Sequence, residues 1–542
     1  MKRLAVLLAL LLTACSTVWA NPSNSVPRSA TPGRVHVTAV GDIGANANSS
    51  AMLNGMRAAL PDMALALGDL SYGTTGQERA WCDFVKARMG TTPFELLAGN
   101  HESNGMNGNI GAFAACLPNV MPGIVGQYAQ QYYLDVPATN PIARFVMISP
   151  GLTYPDGTWQ YPPGSARYNW TAAAIDGARA NGIQWVVVGA HYPCLTVGKY
   201  ACAMGADAMN LLISKKVDLV LTGHDHGYQR SKQLAISASC PKVVPGTYSA
   251  SCVASAGSSF PKGSGTVFNL VATGGAEEYI INGTDPEGAY FVASSGANKN
   301  PTWGFLDLVI TNDTLTAKFV RTSGGTLADT YTISKSVVAR DDFSRTLTSG
   351  WGTAPVGGPW TTAGATSVSS GAGRMRLGAG ASAAAALGAL ALPGADTRLA
   401  ISPDKVPTGS GLYVWVAGRR NAAGSYRLRL VLKNSVTASL SRVTAAGAET
   451  VIAPAIAVPG VSVTAGTRIL VRVLVTGTTP STIRAKVWPA TATEPSAWQL
   501  TASDSTAGFG SAGGIGINAY LSSSATNAPI TTAFDDLGVS RV

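Results

Sequence analysis

Two patterns of apolar residues divide the chain. From Arg34 to about Ser334, unbroken apolar runs of strand length alternate with helix-like segments, and five of the runs stop at a polar or small group. "RVHVTAV" stops at Gly41-Asp42, "DMALAL" at Gly68-Asp69, "PFELLA" at Gly99-Asn100, "IQWVVVGA" at His191 and "VDLVLT" at Gly223-His224. Continuous apolar stretches read as strands buried on both faces of an α/β layer. Between them, "SSAMLNGMRAAL", "ERAWCDFVKARM" and "AMNLLISKK" carry helical spacing, the last closing on Lys215 and Lys216 as a helix C-terminus favours. Ligands of such folds gather beyond the carboxyl ends of the strands, so the five stops are expected to converge on one edge.

Beyond Val338 the pattern changes to strict alternation. "GLYVWVAG", "SYRLRLVLK" and "TRILVRVLV" are spaced by Gly and Thr turns, with neither Cys nor His in the region and no amphipathic helix. This predicts an all-β sandwich. The expected organisation is therefore an α/β domain over 34–334, a linker over 335–340 and a β-sandwich over 341–542. Residues 237–265, rich in Ser, Gly and Pro, read as a long loop.

The first twenty residues change the picture of where the chain works. Lys2 and Arg3 precede an apolar run from Leu4 to about Leu12, too short to span a bilayer, so residues 1–20 read as an export signal. Leu12-Thr13-Ala14-Cys15 resembles a bacterial lipobox, with cleavage before Cys15 and lipidation of that residue; cleavage after Ala20 is the competing reading. Residues 21–33, "NPSNSVPRSATPG", read as a tether. With Cys15 set aside, six cysteines remain in sequence-local pairs, Cys82 with Cys116, Cys194 with Cys202 and Cys240 with Cys252. Export makes disulfides the expected state, although connectivity stays open at this level.

The 542 residues carry a net charge of +10, of which +7 lies from Asp341 onward, from 16 Lys/Arg against 9 Asp/Glu. Charged residues make up only 13% and form no basic run, which argues against nucleic acid as a partner. A basic exported module suits anionic cell-surface polymers, or is simply a solvated face.

The chemistry concentrates at the strand ends. Four of the five histidines, His101, His191, His224 and His226, fall there together with Asp42, Asp69 and Asn100; only His36 lies inside a strand. Singly, the aspartates read as helix caps and Asn100 as a turn residue. Jointly they offer the oxygen and nitrogen donors that two neighbouring ions require, with one carboxylate to share.

In order along the chain, Gly41-Asp42-Ile43-Gly44, Gly68-Asp69-Leu70-Ser71-Tyr72, Gly99-Asn100-His101-Glu102, Val188-Gly189-Ala190-His191 and Gly223-His224-Asp225-His226 resemble the five-block signature of calcineurin-like metallophosphoesterases. Tyr72, three residues after Asp69, is similar to the purple acid phosphatase branch. The resemblance implies a calcineurin-like αββα sandwich of two mixed sheets, followed here by the all-β domain. It further implies that Asp42, Asp69, Tyr72 and His226 hold one metal while Asp69, Asn100, His191 and His224 hold a second. A phenolate ligand favours Fe(III), paired in this branch with a divalent iron, zinc or manganese. The implied reaction is hydrolysis of a phosphomonoester by a metal-bound hydroxide, with His101 placed to protonate the leaving group and Glu102, Tyr228 and Arg230 as supports. A phosphodiesterase or nucleotidase on the same site is the alternative.

The family's further histidines after the His191 block are missing from "HYPCLTVGKYACAMG", where Lys199 or Tyr200 stands in their place. The C-terminal region, from "DDFSRTLTSGWG" to "FDDLGVSRV", resembles concanavalin-like or laminin-G-like sandwiches, which often bind glycans; Trp351, Trp360 and Trp415 are the candidate platforms. That leaves a third reading, a surface glycan-binding protein whose phosphatase domain is only a scaffold. The expected location is the cell envelope, through a lipid anchor, or the secreted or periplasmic space.

Overall fold

In a computed structural model, residues 33–495 and 497–542 are described. The export signal, Cys15 and nearly all of the tether lie outside them. Among the described residues, no helix is long and apolar enough to cross a membrane.

The N-terminal unit stacks two mixed sheets. The first runs Ser259–Pro261, Thr330–Ser334, Thr314–Gly324, Thr302–Thr311, Arg34–Val40, Met63–Ala66 and Phe94–Glu95 across its width. Its last three members are parallel, and Arg34–Val40 pairs antiparallel with Thr302–Thr311. The second sheet has at its centre four parallel strands, Ala143–Ile148, Trp185–Ala190, Leu219–Thr222 and Thr266–Val271, flanked by the antiparallel Tyr228–Leu234. The central parallel strands are buried along their whole length, as their unbroken apolar sequences require.

Helices cover both outer faces. Ala47–Ala58 lies on the first sheet, beside Thr314–Gly324, and Ala166–Ala180 lies on the second, against Ala143–Ile148. Asn46 caps the first of these by accepting from the Ser49 amide, while the Ser49 hydroxyl accepts from the Asn46 amide. Glu78–Met89 and Ala206–Ser214 fall where helical spacing is visible in the sequence. Ala166–Ala180, "ARYNWTAAAIDGARA", is a further helix that the apolar pattern does not announce, because alanine blurs its buried face. The result is the calcineurin-like arrangement of mixed sheets with few helices, followed by a large all-β region.

That region packs an eight-stranded sheet on a seven-stranded one, around a core of its own that includes Trp351, Val414, Leu428, Ile483 and Phe534. The join is shorter than the expected linker over 335–340. Val337–Asp341 is already a strand, paired antiparallel with Ile530–Arg541, so Ser334 and Val337 end and begin regular structure two residues apart. Lys335, between them, is buried against Asp396 at 3.4 Å.

All three sequence-local disulfides are formed, Cys82–Cys116, Cys194–Cys202 and Cys240–Cys252. Three such bonds point to an oxidising compartment.

Candidate metal centre

The strand ends meet because glycines let them. A methyl group at Gly99 would sit 2.1 Å from Asp69 Oδ1, and one at Gly68 would sit 2.7 Å from the Gly99 backbone. Past these points the backbone turns sharply. Asp42, Asp69, Tyr72 and His224 all have positive φ, between 51° and 71°, a left-handed conformation that costs a side-chain-bearing residue on the order of 1 kcal/mol or more. Four such residues at one edge are strain held in place by the sheets beneath.

The result is two groups of potential ligands: Asp42, Asp69 and His226 form one, and Asp69, His191 and His224 the other. Within each, one donor atom per residue lies within 4.8 Å of the others. Asp69 belongs to both. Tyr72 joins the first group, its hydroxyl 2.9 Å from His226 Nε2 and 3.1 Å from Asp42 Oδ1. Asn100 joins the second, its Oδ1 3.1 Å from His191 Nε2. The structure thus brings together all seven residues that the sequence singles out.

Hydrogen-bond bookkeeping shows that this donor set suits cations. His191 Nδ1 donates to the Leu67 carbonyl at 2.8 Å, which leaves Nε2 facing Asp69 Oδ1 at 3.2 Å and Asn100 Oδ1. His226 repeats the device: Nδ1 donates to the Glu277 carbonyl at 2.7 Å, and Nε2 points at Asp42 and Tyr72. A neutral imidazole with its Nδ1 proton committed has only a lone pair to offer at Nε2. The Tyr72 hydroxyl can donate to His226, but toward Asp69, Asn100 and Asp42 acceptors face acceptors unless a cation or an extra proton lies between them. Burial favours the neutral imidazole, yet the Asp69 carboxylate outweighs it and raises His191 to a pKa of about 9. For Asp69, burial favours the protonated form, but the His191 charge and hydrogen bond overcome it and hold the carboxyl well below its ordinary range. Burial and the neighbouring Asp42 and Asp69 carboxylates push the Tyr72 phenol well above its usual value. Ionising that phenol therefore calls for a strongly charged ion.

His101 stands at the mouth. Its Nδ1 donates to Asn107 Oδ1 at 2.5 Å, and its Nε2 lies 3.5 Å from Asp69 Oδ2. The expected support for His101, Glu102, turns elsewhere: its buried carboxyl accepts from the Gly99, Leu70 and Asp69 amides and so braces the ligand-bearing turns. Asn107 positions His101 instead, and its own amide is fixed by the Gly73 carbonyl at 2.7 Å. Tyr228 and Arg230 meet at Asp329, which accepts from the Tyr228 hydroxyl at 2.7 Å and from the Arg230 Nη2 at 2.9 Å. They support the strand after His226, not the substrate space.

Tyrosines wall the rest. Tyr200 stacks on His224 with ring centroids 4.3 Å apart, Tyr279 stacks on His226, and Lys199 Nζ lies 4.4 Å from the Tyr279 ring centre. Asp225, pointing away from the metal groups, accepts from the Lys199 amide at 2.8 Å and the Thr196 hydroxyl at 2.5 Å, fixing the loop that carries these residues. Glu277 and Tyr279 carry no local signal, since their partner His226 comes from a distant part of the chain, and Asn107 meets His101 only through the turn between them.

Residues 35–228 match the family model of the calcineurin-like phosphoesterases, so the chain carries a metallophosphoesterase domain of that family. Its relatives by sequence include purple acid phosphatases. It is 25% identical over 291 residues to "Probable inactive purple acid phosphatase 1" of Arabidopsis thaliana, covering 51% of this chain and 43% of that protein. It is likewise 25% identical over 267 residues to purple acid phosphatase 1 of Ipomoea batatas, covering 46% of this chain and 52% of that one. Among solved structures, a purple acid phosphatase from yellow lupin (Lupinus luteus) seeds aligns with a TM-score of 0.42 and 18% identity, over 57% of this chain and 55% of that one. The chain spans only about half the length of these curated relatives.

Proposed function

We propose that the protein is an exported, dinuclear metal-dependent acid phosphatase acting on phosphomonoesters. The observation that carries this reading is the sharing of buried Asp69 between two ligand groups, in each of which one histidine, His191 or His226, has its Nδ1 proton committed to a backbone carbonyl. Asp42, Asp69, Tyr72 and His226 would hold an Fe(III) ion, and Asp69, Asn100, His191 and His224 a divalent iron, zinc or manganese. When bound, such a pair supplies positive charge that stabilises the attacking and leaving oxygens of a phosphate ester. The chain's own contribution is positioning and proton supply. His101, held through Nδ1 by Asn107, turns its Nε2 edge toward the place of the leaving oxygen, as a general acid requires. Lys199 and the tyrosine wall border the space on the other side.

The test is metal analysis with a visible spectrum, alongside hydrolysis of an aryl phosphate between about pH 4 and 9. Two metals per chain, a charge-transfer band that Tyr72→Phe removes and faster turnover of the monoester than of a matched diester are expected. A faster diester rate would favour the phosphodiesterase reading, and absence of both metal and hydrolysis would overturn both.

For the all-β region the supporting observation lies at Trp415. Trp351 and Trp360 are buried in the core, whereas Trp415 is only half-buried and lies nearly parallel to Tyr413, with ring centroids 5.9 Å apart. A cavity of about 350 Å³ bordered by Trp415, Arg427, Asn518 and Tyr520 opens beside them. Aromatic faces next to polar side chains suit a sugar ring, and we infer an accessory glycan-binding role. Pull-down on insoluble polysaccharides, lost in Trp415→Ala, tests it. The export signal and the Cys15 anchor are read from sequence and tested by mass analysis of the mature N-terminus.

A further inference from the structure

Between the two units lies a cleft of about 600 Å³ whose described lining contains cationic side chains and no aspartate or glutamate. On one wall the turn at Gly182 packs directly beneath Trp498; a methyl group at Gly182 would sit 2.5 Å from the indole Nε1 and 3.2 Å from Arg484 Nη1. Three of the lining cations are neutralised from behind: Lys215 by Asp176, Lys262 by Asp218 and Lys335 by Asp396. Four are not. Arg179 donates only to the Lys216 carbonyl, and no carboxylate among the described residues pairs with Lys216, Arg484 or Arg541. Arg179 and Lys216 come from the phosphoesterase unit, Arg484 and Arg541 from the β region, so the charge density exists only where the two meet.

We propose that this cleft is a binding site for a compact oligophosphate, a linear anion of several phosphate groups. These four cations, set against the one backbone carboxylate at Val542, call for about three or more negative charges within one small molecule. Condensed phosphates reach that density, whereas acidic sugars, with one carboxylate per ring, do not. Three of the four groups are guanidiniums, whose forked donors match phosphate oxygens in pairs. The site is separate from the metal centre and does not depend on the phosphatase reading.

Calorimetric titration of the full chain with inorganic tripolyphosphate tests the assignment, in wild type, Arg484→Glu/Arg541→Glu and Asp69→Asn. Binding is expected in wild type and Asp69→Asn alike, weaker by at least ~10-fold in the charge-reversed pair, and weaker still as salt is added. Binding that survives charge reversal but vanishes in Asp69→Asn would place the anion at the metal centre and overturn the proposal, as would no binding at all. Equal affinity for a trigalacturonate would overturn the phosphate assignment. A footprint on the unaltered protein guards against misfolding of the variant. Tripolyphosphate should slow acetylation of Lys216 and leave exposed Lys318 untouched; equal labelling of Lys216 with and without it refutes the site.

Discussion

Tyr279 lies flat on His226, with ring centroids 4.1 Å apart and 8° between planes. With Nδ1 fixed by the Glu277 carbonyl, the imidazole is held on its face and at one edge, so Nε2 has a single direction in which to point. Groups that orient a ligand without touching the ion usually matter about 10- to 100-fold in metal affinity. Tyr279→Ala is expected near the lower end of that range, while Tyr279→Phe, which keeps the face, stays near wild type. Metal retained after dialysis against a chelator reads the difference.

Asp69 and Asp42 are both buried, yet they differ in reach. Asp69 belongs to both ligand groups and Asp42 to one. Asp69→Asn should therefore abolish binding of both metals and lower hydrolysis by more than the ~100-fold typical of an outer partner. Asp42→Asn should retain one equivalent and lose the visible band that depends on Tyr72. Elemental analysis of the two variants side by side separates a shared carboxylate from two independent sites.

Asp225 is the anchor of the loop bearing Lys199 and Tyr200. Its carboxyl takes three donors from that loop, the Thr196 hydroxyl and the Lys199 and Tyr200 amides, while the Cys194–Cys202 disulfide closes the loop's ends. Replacing Asp225 with Ala frees the loop without removing a candidate ligand. We expect KM for an aryl phosphate to rise several-fold, roughly as the loss of one to two charged hydrogen bonds would give, with kcat changed less. Limited proteolysis should then cut within 196–203.

Glu95 lies buried on the strand before the Asn100 block, and burial raises its carboxyl to a pKa of about 7, with Tyr128 close by. The unfolded chain releases this proton near the ordinary value of 4.5, so the folded state holds it more tightly between the two values. Stability from this group is full below about pH 4.5 and is lost as pH rises through 7, by about 3 kcal/mol in all. Glu95→Gln should flatten that dependence and make the variant more resistant to denaturant than wild type at pH 8. A wild-type midpoint unchanged between pH 5 and 8 would show that the carboxyl is not held protonated.

The strand-end blocks were readable because a buried parallel strand writes itself as an unbroken apolar run, and the first polar residue after it marks the edge. Asp42 after Val40, and His191 after Ala190, are two such cases. What holds the site residues in place was not readable. Asn107 reaches His101 across a turn, Glu277 reaches His226 over 51 residues, and Asp329 gathers Tyr228 and Arg230 over about a hundred. Such partners are set by how the sheets pack, not by any local pattern. Helix Ala166–Ala180 escaped for a related reason, since small alanines on both faces erase the amphipathic signature. Trp351 and Trp360, which from sequence alone fit either a glycan platform or core packing, both lie in the β core.

The two-residue step from Ser334 to Val337, with Lys335 buried in the joint, leaves no slack between the units. A flexible tether would let a surface-bound β region sample a wide volume around its attachment point. Here the geometry is that of a bracket. Any surface gripped by the β region meets the phosphoesterase edge at one fixed height and angle, so reach along that surface must come from letting go and gripping again.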